Sequence, residues 1–436
     1  MVTASPPPQE MPSPGSGGIR VNLDSNTTPT SKGGSGVGSG SSSASSGVQQ
    51  IQQFLREANA VAKKASSWEV PSTVEGLNVL ALQGSWREII ERMKEAPVVV
   101  SPHERLVWFT CKVLSYMKLR QWGAAAQELR DMGGLESASW RYESYPEHYH
   151  GRKGTMVPFE LVYLQALLQV RLGHVGQGMD WLYKLLSSCI TEQQKASQIS
   201  HGWSEGDAGA GCLPLTTSTE ERGARWQRNQ ELILVTLANH HLASKDFQQT
   251  LWCAQQLLGL QPNNATYPSF AGYTLLQIGD LVGAETMFQI TKDMAAQLER
   301  GEIGAALEVP AHFTIASLRG LVKRNEGLLA FARQDYNGAY LLFDEALQLN
   351  EHDVVAANNK AMCLMYSQKL LNAVEGMEAN FMAEPSTFLY EPFLLNVCSM
   401  YELASLDSTN SKRLLSSYIS RVAPDDFDLM CTRLST

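Results

Sequence analysis

The sequence repeats itself with a period of 34 residues between positions 228 and 385, and this periodicity constrains the fold more than any other feature. Ala238 and Gly272 are small residues 34 positions apart, and Gly327 and Ala361 form a second such pair. A period of this length is typical of stacked helical hairpins, in which each repeat buries its apolar face against its neighbours. The repeats therefore predict an all-α protein built as an α-solenoid.

The residue types at the repeated positions fit close helix packing. Gly or Ala lets two backbones approach, an aromatic such as Phe288 fills the space between repeats, and Pro262 lacks the N–H that a continuing helix would donate. The segments 236–262 and 271–290 resemble the tetratricopeptide repeat (TPR), whose small residues lie where two antiparallel helices touch. This resemblance implies TPR-like helical hairpins whose groove binds peptides or partner proteins.

The composition is that of a folded, acidic protein. The chain has 436 residues, of which 44% are hydrophobic, and its 35 basic and 44 acidic residues give a net charge of -9. Because no basic run is present, we expect no nucleic acid among its partners and no direct binding to an anionic membrane. The sequence shows neither a signal peptide nor a long apolar run, so we expect a cytoplasmic protein without a transmembrane anchor.

The N-terminal half is predicted to contain a tail and then irregular repeats. Residues 1–47 consist largely of Ser, Gly, Pro and Thr and cannot bury enough apolar surface to offset the entropy of ordering, so we expect a disordered tail. Residues 48–190 have the pattern of degenerate TPR-like hairpins, beginning with an amphipathic helix at 48–61. One hairpin is expected to turn at Gly84, and an aromatic-basic loop at 134–157 interrupts the helices.

The C-terminal half is predicted to follow a flexible insertion. Residues 191–225 are acidic and rich in Gly and Thr, which favours a mobile connection. Residues 226–436 form the regular TPR array, in which about 21 extra residues, mostly at 297–313, suggest that the second helix of one repeat runs on before a loop. Capping helices are expected near 391–405 and 410–424. The second of these is polar, as expected for a last repeat that exposes one face to water.

The sequence contains no motif for catalysis or metal binding. It has no H-E-x-x-H, G-x-S-x-G or Walker lysine, and its seven cysteines are scattered without a C-x-x-C pair, as expected for reduced, buried thiols. A metal site at His148 and His150 would need two further ligands, so we interpret them as loop histidines. The tryptophans, including Trp86 and Trp252, are expected in the core. We therefore predict a protein that is not an enzyme and holds no cofactor or metal.

The carboxylate clamp of co-chaperones is one use of a TPR groove, and the sequence matches it poorly. In co-chaperones of this kind, the clamp is formed by a basic residue and an Asn of one repeat together with an Asn of the next repeat. In the first two repeats Val235 and Phe270 occupy two of these three positions. In the later pair Arg324 and Asn359 fit, but Leu328 replaces the Asn between them. A generic TPR adaptor that binds short peptides, such as chaperone tails, is therefore the alternative function.

The most distinctive stretch is 141–168, RYESYPEHYHGRKGTMVPFELVYLQALL, which mixes tyrosines with basic residues. This stretch resembles the subunit 12 family of the trafficking protein particle (TRAPP) complexes. The resemblance runs in the same order over roughly residues 75–434. Further matching segments are 276–289, 354–379, 394–405 and 427–434.

The resemblance implies a subunit of the larger TRAPP III assembly. That assembly activates a Rab GTPase as a nucleotide-exchange factor and tethers vesicles between the endoplasmic reticulum (ER) and the Golgi, with a link to autophagy. The resemblance implies an accessory, non-catalytic scaffold whose partners are other TRAPP III subunits and, indirectly, the Rab GTPase. Membrane association would then be peripheral, at Golgi and ER-Golgi membranes, through the complex. Relatives can carry a long acidic region where this chain has its Ser/Gly-rich tail, so no function of that region is transferred.

The aromatic-basic loop also supplies candidate partner-binding residues, because tyrosine and arginine are enriched at protein interfaces. The candidates are Tyr142, Tyr145, Tyr149, Arg152 and Lys153. An equally weighted alternative is that the tyrosines pack into the joint between the two halves of the chain. The sequence leaves both interpretations open.

Overall fold

A computed structural model describes residues 74–94, 101–199, 219–300, 315–404 and 408–432. These residues form seventeen α-helices with short 3-10 helices between some of them, and they include no β-strand. The prediction of an all-α array of helical hairpins is confirmed. In chain order the helices are α1 (Val74–Leu82), α2 (Trp86–Lys94), α3 (Pro102–Lys118), α4 (Trp122–Asp131), α5 (Phe159–Arg171), α6 (Val175–Ile199), α7 (Thr219–Ala243), α8 (Phe247–Leu260), α9 (Thr266–Ile278), α10 (Leu281–Glu299), α11 (Ile315–Ala332), α12 (Tyr336–Leu349), α13 (Val354–Tyr366), α14 (Leu370–Ala383), α15 (Pro385–Phe388), α16 (Glu391–Ala404) and α17 (Ser408–Val422).

The described residues form two compact units. The N-terminal unit contains described residues 74–237 and 424–426, and the C-terminal unit contains 238–423 and 427–432. The division falls within α7, between Leu237 and Ala238. The predicted tail at 1–47 and the predicted helix at 48–61 lie outside the described residues.

Two predictions need correction. The predicted insertion at 191–225 is wrong at both ends, because α6 continues to Ile199 and α7 begins at Thr219. The end of α6 is rich in Gln, Lys and Ala, which favour a helix. Among the tryptophans, Trp86 is buried as expected, whereas the Trp252 side chain is 38% exposed.

Two hairpins of the C-terminal unit pack closely because a glycine in the first helix faces a phenylalanine sixteen positions later in the second. Gly272 in α9 lies against the ring of Phe288 in α10. Gly327 in α11 lies in the same way against Phe343 in α12. A side chain on either glycine would occupy space that the ring already fills. The prediction that small residues mark the helix contacts is confirmed.

Seven hairpins, from α1–α2 to α13–α14, turn through one residue in the left-handed conformation. Three of these residues are glycines and four are not, although a side chain disfavours this conformation. The seven residues are Gly84, Arg120, Gly173, Lys245, Gly279, Gln334 and Gln368. In three hairpins the next residue, Asp246, Asp280 or Asp335, accepts a hydrogen bond from a backbone N–H of the following helix. This cap fixes where each second helix begins.

Helices α10 and α11 are connected by three ion pairs spaced seven residues apart. The pairs are Glu285–Arg333 at 2.8 Å, Lys292–Glu326 at 2.8 Å and Glu299–Arg319 at 2.5 Å. From one pair to the next, the residue number rises by seven in α10 and falls by seven in α11. The two helices are therefore antiparallel, and a single register satisfies all three pairs. The prediction that a second helix runs on is confirmed, since α10 has 19 residues and α8 has 14.

Candidate protein-interaction surfaces

The aromatic-basic loop between α4 and α5 is folded back on itself. Arg141 and Thr155 form an isolated antiparallel β-bridge. Beside the bridge, the Met156 N–H donates a hydrogen bond to the Trp140 carbonyl oxygen at 2.8 Å. The loop therefore leaves and re-enters the helical array at one place, which holds its outer part in a defined position.

Large apolar side chains at the two ends of the loop anchor it in the core of the N-terminal unit. The Trp140 side chain is 4% exposed, and its Nε1 donates to the Met132 carbonyl oxygen at 3.1 Å. Its ring packs edge-to-face against Phe109 of α3 with centroids 6.1 Å apart. Met156 is fully buried in the same cluster. Burial of these residues ties the loop to the packing of α3, α4 and α5.

The five candidate residues lie at different depths in this loop. Tyr142 is 3% exposed and belongs to the core, and the Tyr149 ring packs edge-to-face against it with centroids 5.2 Å apart. The Arg152 guanidinium lies 5.4 Å from the centre of the Tyr142 ring, a cation–π contact. Tyr145 is half-buried on the same core, and Lys153 is exposed.

The burial of the five side chains shows which of them serve the core and which a partner could reach. Tyr142 packs within the N-terminal unit, so its burial supports a core function and leaves it no face for a partner. Tyr145, Tyr149 and Arg152 are half-buried and present part of their surface. Only Lys153 among the five is largely open to solvent.

Glu143 is a residue of this loop that the sequence analysis missed. Its Oε1 accepts a hydrogen bond from the Gly154 N–H at 3.0 Å, and Arg141 lies 3.2 Å from the same oxygen. The backbone hydrogen bond, assisted by the arginine, lowers the pKa of the Glu143 carboxyl to about 2. The carboxylate therefore stays charged at neutral pH and holds the two sides of the loop together. Its only signal in the sequence was Arg141, two positions before it.

In the part of the chain that the structure describes, the two loop histidines belong to no cluster that could hold a metal ion. His148 and His150 are both exposed. Throughout the described ranges, no group of three or more His, Cys, Asp or Glu side chains is arranged to hold a metal ion. Within the same ranges, no helix combines the length and the apolar character needed to cross a membrane.

The one basic residue that fitted a carboxylate clamp is engaged inside the protein. Arg324 Nη1 donates to both carboxylate oxygens of Asp353, at 3.0 and 2.9 Å. Asp353 also accepts from the Ala356 N–H at 2.9 Å and so caps α13. An incoming peptide carboxylate would have to displace this pair. Asp353 could not be recognised from the sequence as the partner of Arg324, because the two residues lie 29 positions apart.

Comparison with known proteins identifies two curated relatives. Trafficking protein particle complex subunit 12 of Mus musculus is 28% identical over 334 residues, which cover 76% of this chain and 39% of the relative. The same subunit of Homo sapiens is 28% identical over 333 residues, covering 76% and 42%. The chain thus spans about two fifths of the length of the curated relatives it matches. No family model matches the sequence.

The chain also matches solved structures at low sequence identity. A tetratricopeptide repeat protein from Parabacteroides merdae ATCC 43184 is 12% identical, with 80% of this chain and 98% of that one covered and a TM-score of 0.36. A human IFIT1 dimer with m7Gppp-AAAA is 13% identical, with 86% and 77% covered and a TM-score of 0.37. The curated relatives confirm the resemblance that the aromatic-basic segment predicts: this chain of TPR-like helical hairpins is similar to trafficking protein particle complex subunit 12.

Proposed function

We propose that this chain is a non-catalytic scaffold subunit of a TRAPP-type complex that tethers vesicles and promotes nucleotide exchange on a Rab GTPase. The observation that carries the proposal is the similarity to TRAPP complex subunit 12 over 76% of the chain. The chain acts in ER-to-Golgi transport and autophagy. Its partners are other TRAPP III subunits, with the Rab contacted indirectly. It is cytoplasmic and associates peripherally with Golgi and ER-Golgi membranes through the complex.

The architecture supports a scaffold role. Stacked hairpins offer an extended surface on which partner proteins can bind. The internal pairing of Arg324 with Asp353 makes the peptide-adaptor alternative less favourable, because it occupies the basic group that a clamp would need. That alternative predicts saturable binding of isolated C-terminal peptides by residues 228–385.

The scaffold proposal is tested by purifying the full chain from cells at its native expression level and identifying co-purifying proteins by mass spectrometry. Recovery of TRAPP subunits in a very large assembly is the expected result. If no TRAPP subunit is recovered, the proposed function fails. Binding of isolated peptides without any large assembly would favour the adaptor.

We also propose that the accessible part of the aromatic-basic loop contacts a partner subunit. Its accessible surface comes from Lys153 and from parts of Tyr145, Tyr149 and Arg152. Replacing Tyr145 and Tyr149 by Ser would also remove packing against the core, so Lys153→Glu is the sharper variant. Lys184→Glu, at an exposed lysine of α6, is the matched control.

The loop proposal predicts that Lys153→Glu reduces recovery of at least one subunit while the melting temperature stays unchanged. Lys184→Glu should recover the same subunits as the unaltered chain. Equal recovery by both variants would show that the loop does not contact a partner. A fall in melting temperature for Tyr145→Ser and Tyr149→Ser alone would assign the tyrosines to packing.

A further inference from the structure

A short segment from late in the chain, Pro424–Asp426, belongs to the N-terminal unit. The segment follows α17 in sequence, yet it contacts the first hairpin, α1–α2, and helix α3. The Asp425 N–H donates a hydrogen bond to the Gly84 carbonyl oxygen at 2.9 Å. The first hairpin is therefore completed by residues that come from far along the sequence.

The Asp425 side chain caps α2. Its Oδ2 accepts a hydrogen bond from the Arg87 N–H at 3.0 Å, although the two residues lie 338 positions apart. Arg87 is the second residue of α2, so its N–H has no partner within the helix. In α8, α10 and α12 the same kind of cap comes from an aspartate directly before the helix. In α2 that position is occupied by Ser85, and the carboxylate comes from the distant segment.

The neighbouring carboxylate, Asp426, binds a lysine of α3. Its Oδ2 lies 2.9 Å from Lys118 Nζ. The Asp426 side chain is 21% exposed and that of Lys118 is 44% exposed, so the pair is partly shielded from solvent. Lys118 Nζ also lies 5.4 Å from the centre of the ring of Trp86, the first residue of α2. One ammonium group thus joins the segment to both α2 and α3.

Gly84 leaves the space that Pro424 occupies. A Cβ atom on Gly84 would clash with Cβ of Pro424. Gly84 is a turn residue in the left-handed conformation, and the turn residues Gly173 and Gly279 share this conformation. Nothing lies within 4 Å of a Cβ built on either of those two glycines. The close contact with proline is therefore a property of the first hairpin and not of the turn conformation.

The other charged groups near the segment leave the site favourable to carboxylates. The Arg87 side chain is exposed, and so is Arg120, two positions after Lys118. Glu88, the acidic residue in the first turn of α2, pairs with Arg92 at 2.9 Å. The N-terminus of a helix also carries a partial positive charge. These groups together suit an anionic segment.

We propose that the first hairpin and Lys118 form a binding site for an acidic peptide segment, and that Pro424–Asp426 occupy this site as an internal ligand. The site recognises a proline at Gly84, a carboxylate at the N-terminus of α2 and a second carboxylate at Lys118. We call it the Pro-Asp-Asp site. A separate peptide with these three residues binds there once the chain's own carboxylates are removed. The inference is independent of the proposed function, since it concerns groups of this chain alone.

The first test measures amide hydrogen exchange in the purified full chain by mass spectrometry. The double variant Asp425→Ala and Asp426→Ala removes both carboxylates, and exchange in peptides covering 84–94 should become about tenfold faster because α2 loses its cap. The control Glu136→Ala and Asp180→Ala removes two exposed carboxylates elsewhere in the same unit. Exchange in 84–94 that rises equally in both variants, or in neither, overturns the proposal.

The second test supplies the ligand as a separate peptide. Ala-Pro-Asp-Asp-Phe with blocked ends is added to the double variant at millimolar concentration, the range that a linked segment experiences. Exchange in 84–94 should slow towards that of the unaltered chain, which should not itself respond because its site is filled. The control peptide has alanine at both Asp positions. Absence of recovery, or equal recovery with both peptides, overturns the proposal.

A third variant keeps the proposal testable if melting curves show that the double variant does not fold. Lys118→Met leaves both carboxylates in place and keeps an unbranched side chain beside Trp86. Exchange in 84–94 should become faster, because Asp426 loses its partner. Lys184→Met, at an exposed lysine of α6, is the matched control and should change nothing in 84–94. Equal exchange in the two lysine variants overturns the proposal.

Discussion

A Cβ atom on Gly272 would clash with Cε1 of Phe288, because the two carbons would stand much closer than van der Waals contact allows. The same relationship recurs at Gly327, where a Cβ would stand 2.8 Å from Cε1 of Phe343. In both hairpins the phenylalanine ring takes the space that a side chain on the glycine would need. Close packing in protein interiors leaves little room for such a ring to move.

Gly272→Ala should therefore destabilise the C-terminal unit. Overpacking of this kind costs about 1–3 kcal/mol of unfolding free energy. Gly376→Ala is the matched control, because Gly376 lies within α14 and nothing lies within 4 Å of the added Cβ. Alanine there should stabilise the helix by about 0.5–1 kcal/mol. Urea denaturation measures both, and a stabilised Gly272→Ala would contradict the packing described.

Gln334→Gly should stabilise the hairpin α11–α12. Gln334 has a φ of 65° in the turn, where an L side chain costs about 1–2 kcal/mol. Glycine removes that cost but adds backbone entropy to the unfolded chain, so we expect a net gain of about 0.5–1 kcal/mol. Gln256→Gly, at an exposed position inside α8, should instead lose about 1 kcal/mol. Denaturation curves that shift in the same direction for both variants would refute the turn assignment.

Reversing one charge of the pair Lys292–Glu326 should weaken the contact between α10 and α11. Reversing both should recover the part of the loss that belongs to this pair but not the part that belongs to Lys323, which lies 3.5 Å from Glu326. Because the two side chains are 53% and 30% exposed, each single reversal should cost only about 0.2–1 kcal/mol. The cost should shrink as salt is added. A double-mutant cycle at low and high ionic strength measures the coupling, and additive single effects would show that the pair contributes nothing.

Glu378→Gln should stabilise the C-terminal unit at neutral pH and lose that advantage in acid. Glu378 is 2% exposed and accepts a hydrogen bond from the Tyr401 hydroxyl at 2.8 Å. Burial raises the pKa of the Glu378 carboxyl above its usual value of 4.5. A raised pKa contributes stability below the unfolded value, and that contribution is lost as pH rises through the folded one.

Glutamine keeps an oxygen for the Tyr401 hydrogen bond and carries no charge at any pH. The stability difference between Glu378→Gln and the unaltered chain should therefore shrink as pH falls from 7.5 towards 4.5. Chemical denaturation across this range measures the difference directly. A difference that stays constant with pH would mean that Glu378 does not titrate in this way.

The helix contacts could be predicted from the sequence because they depend on residue size at a fixed spacing. Gly272 and Phe288 lie where two antiparallel helices of one hairpin must meet, so a small residue followed by a large one is a signal that needs no coordinates. The turn at Gln334 gave no such signal. Glutamine rarely adopts a left-handed conformation, yet Gln334 does so in this turn, where the chain reverses direction between α11 and α12.

The candidate surfaces were only partly predictable. The sequence located the aromatic-basic loop but could not show which of its tyrosines are buried. Tyr142 and Tyr145 are the same residue type and differ only in how they pack. It matched Arg324 to the basic position of a carboxylate clamp, whereas the fold pairs this residue with Asp353.

The charges between α10 and α11 also determine which residues of the two helices lie opposite each other. Sliding one helix by seven residues would set Glu285 opposite Glu326 and Lys292 opposite Arg319, so like charges would repel. The three ion pairs therefore favour one register over a shift of two turns. This register is specified by the helix surfaces themselves, although Gly272 and Gly327 lie 55 positions apart in an array whose period is 34.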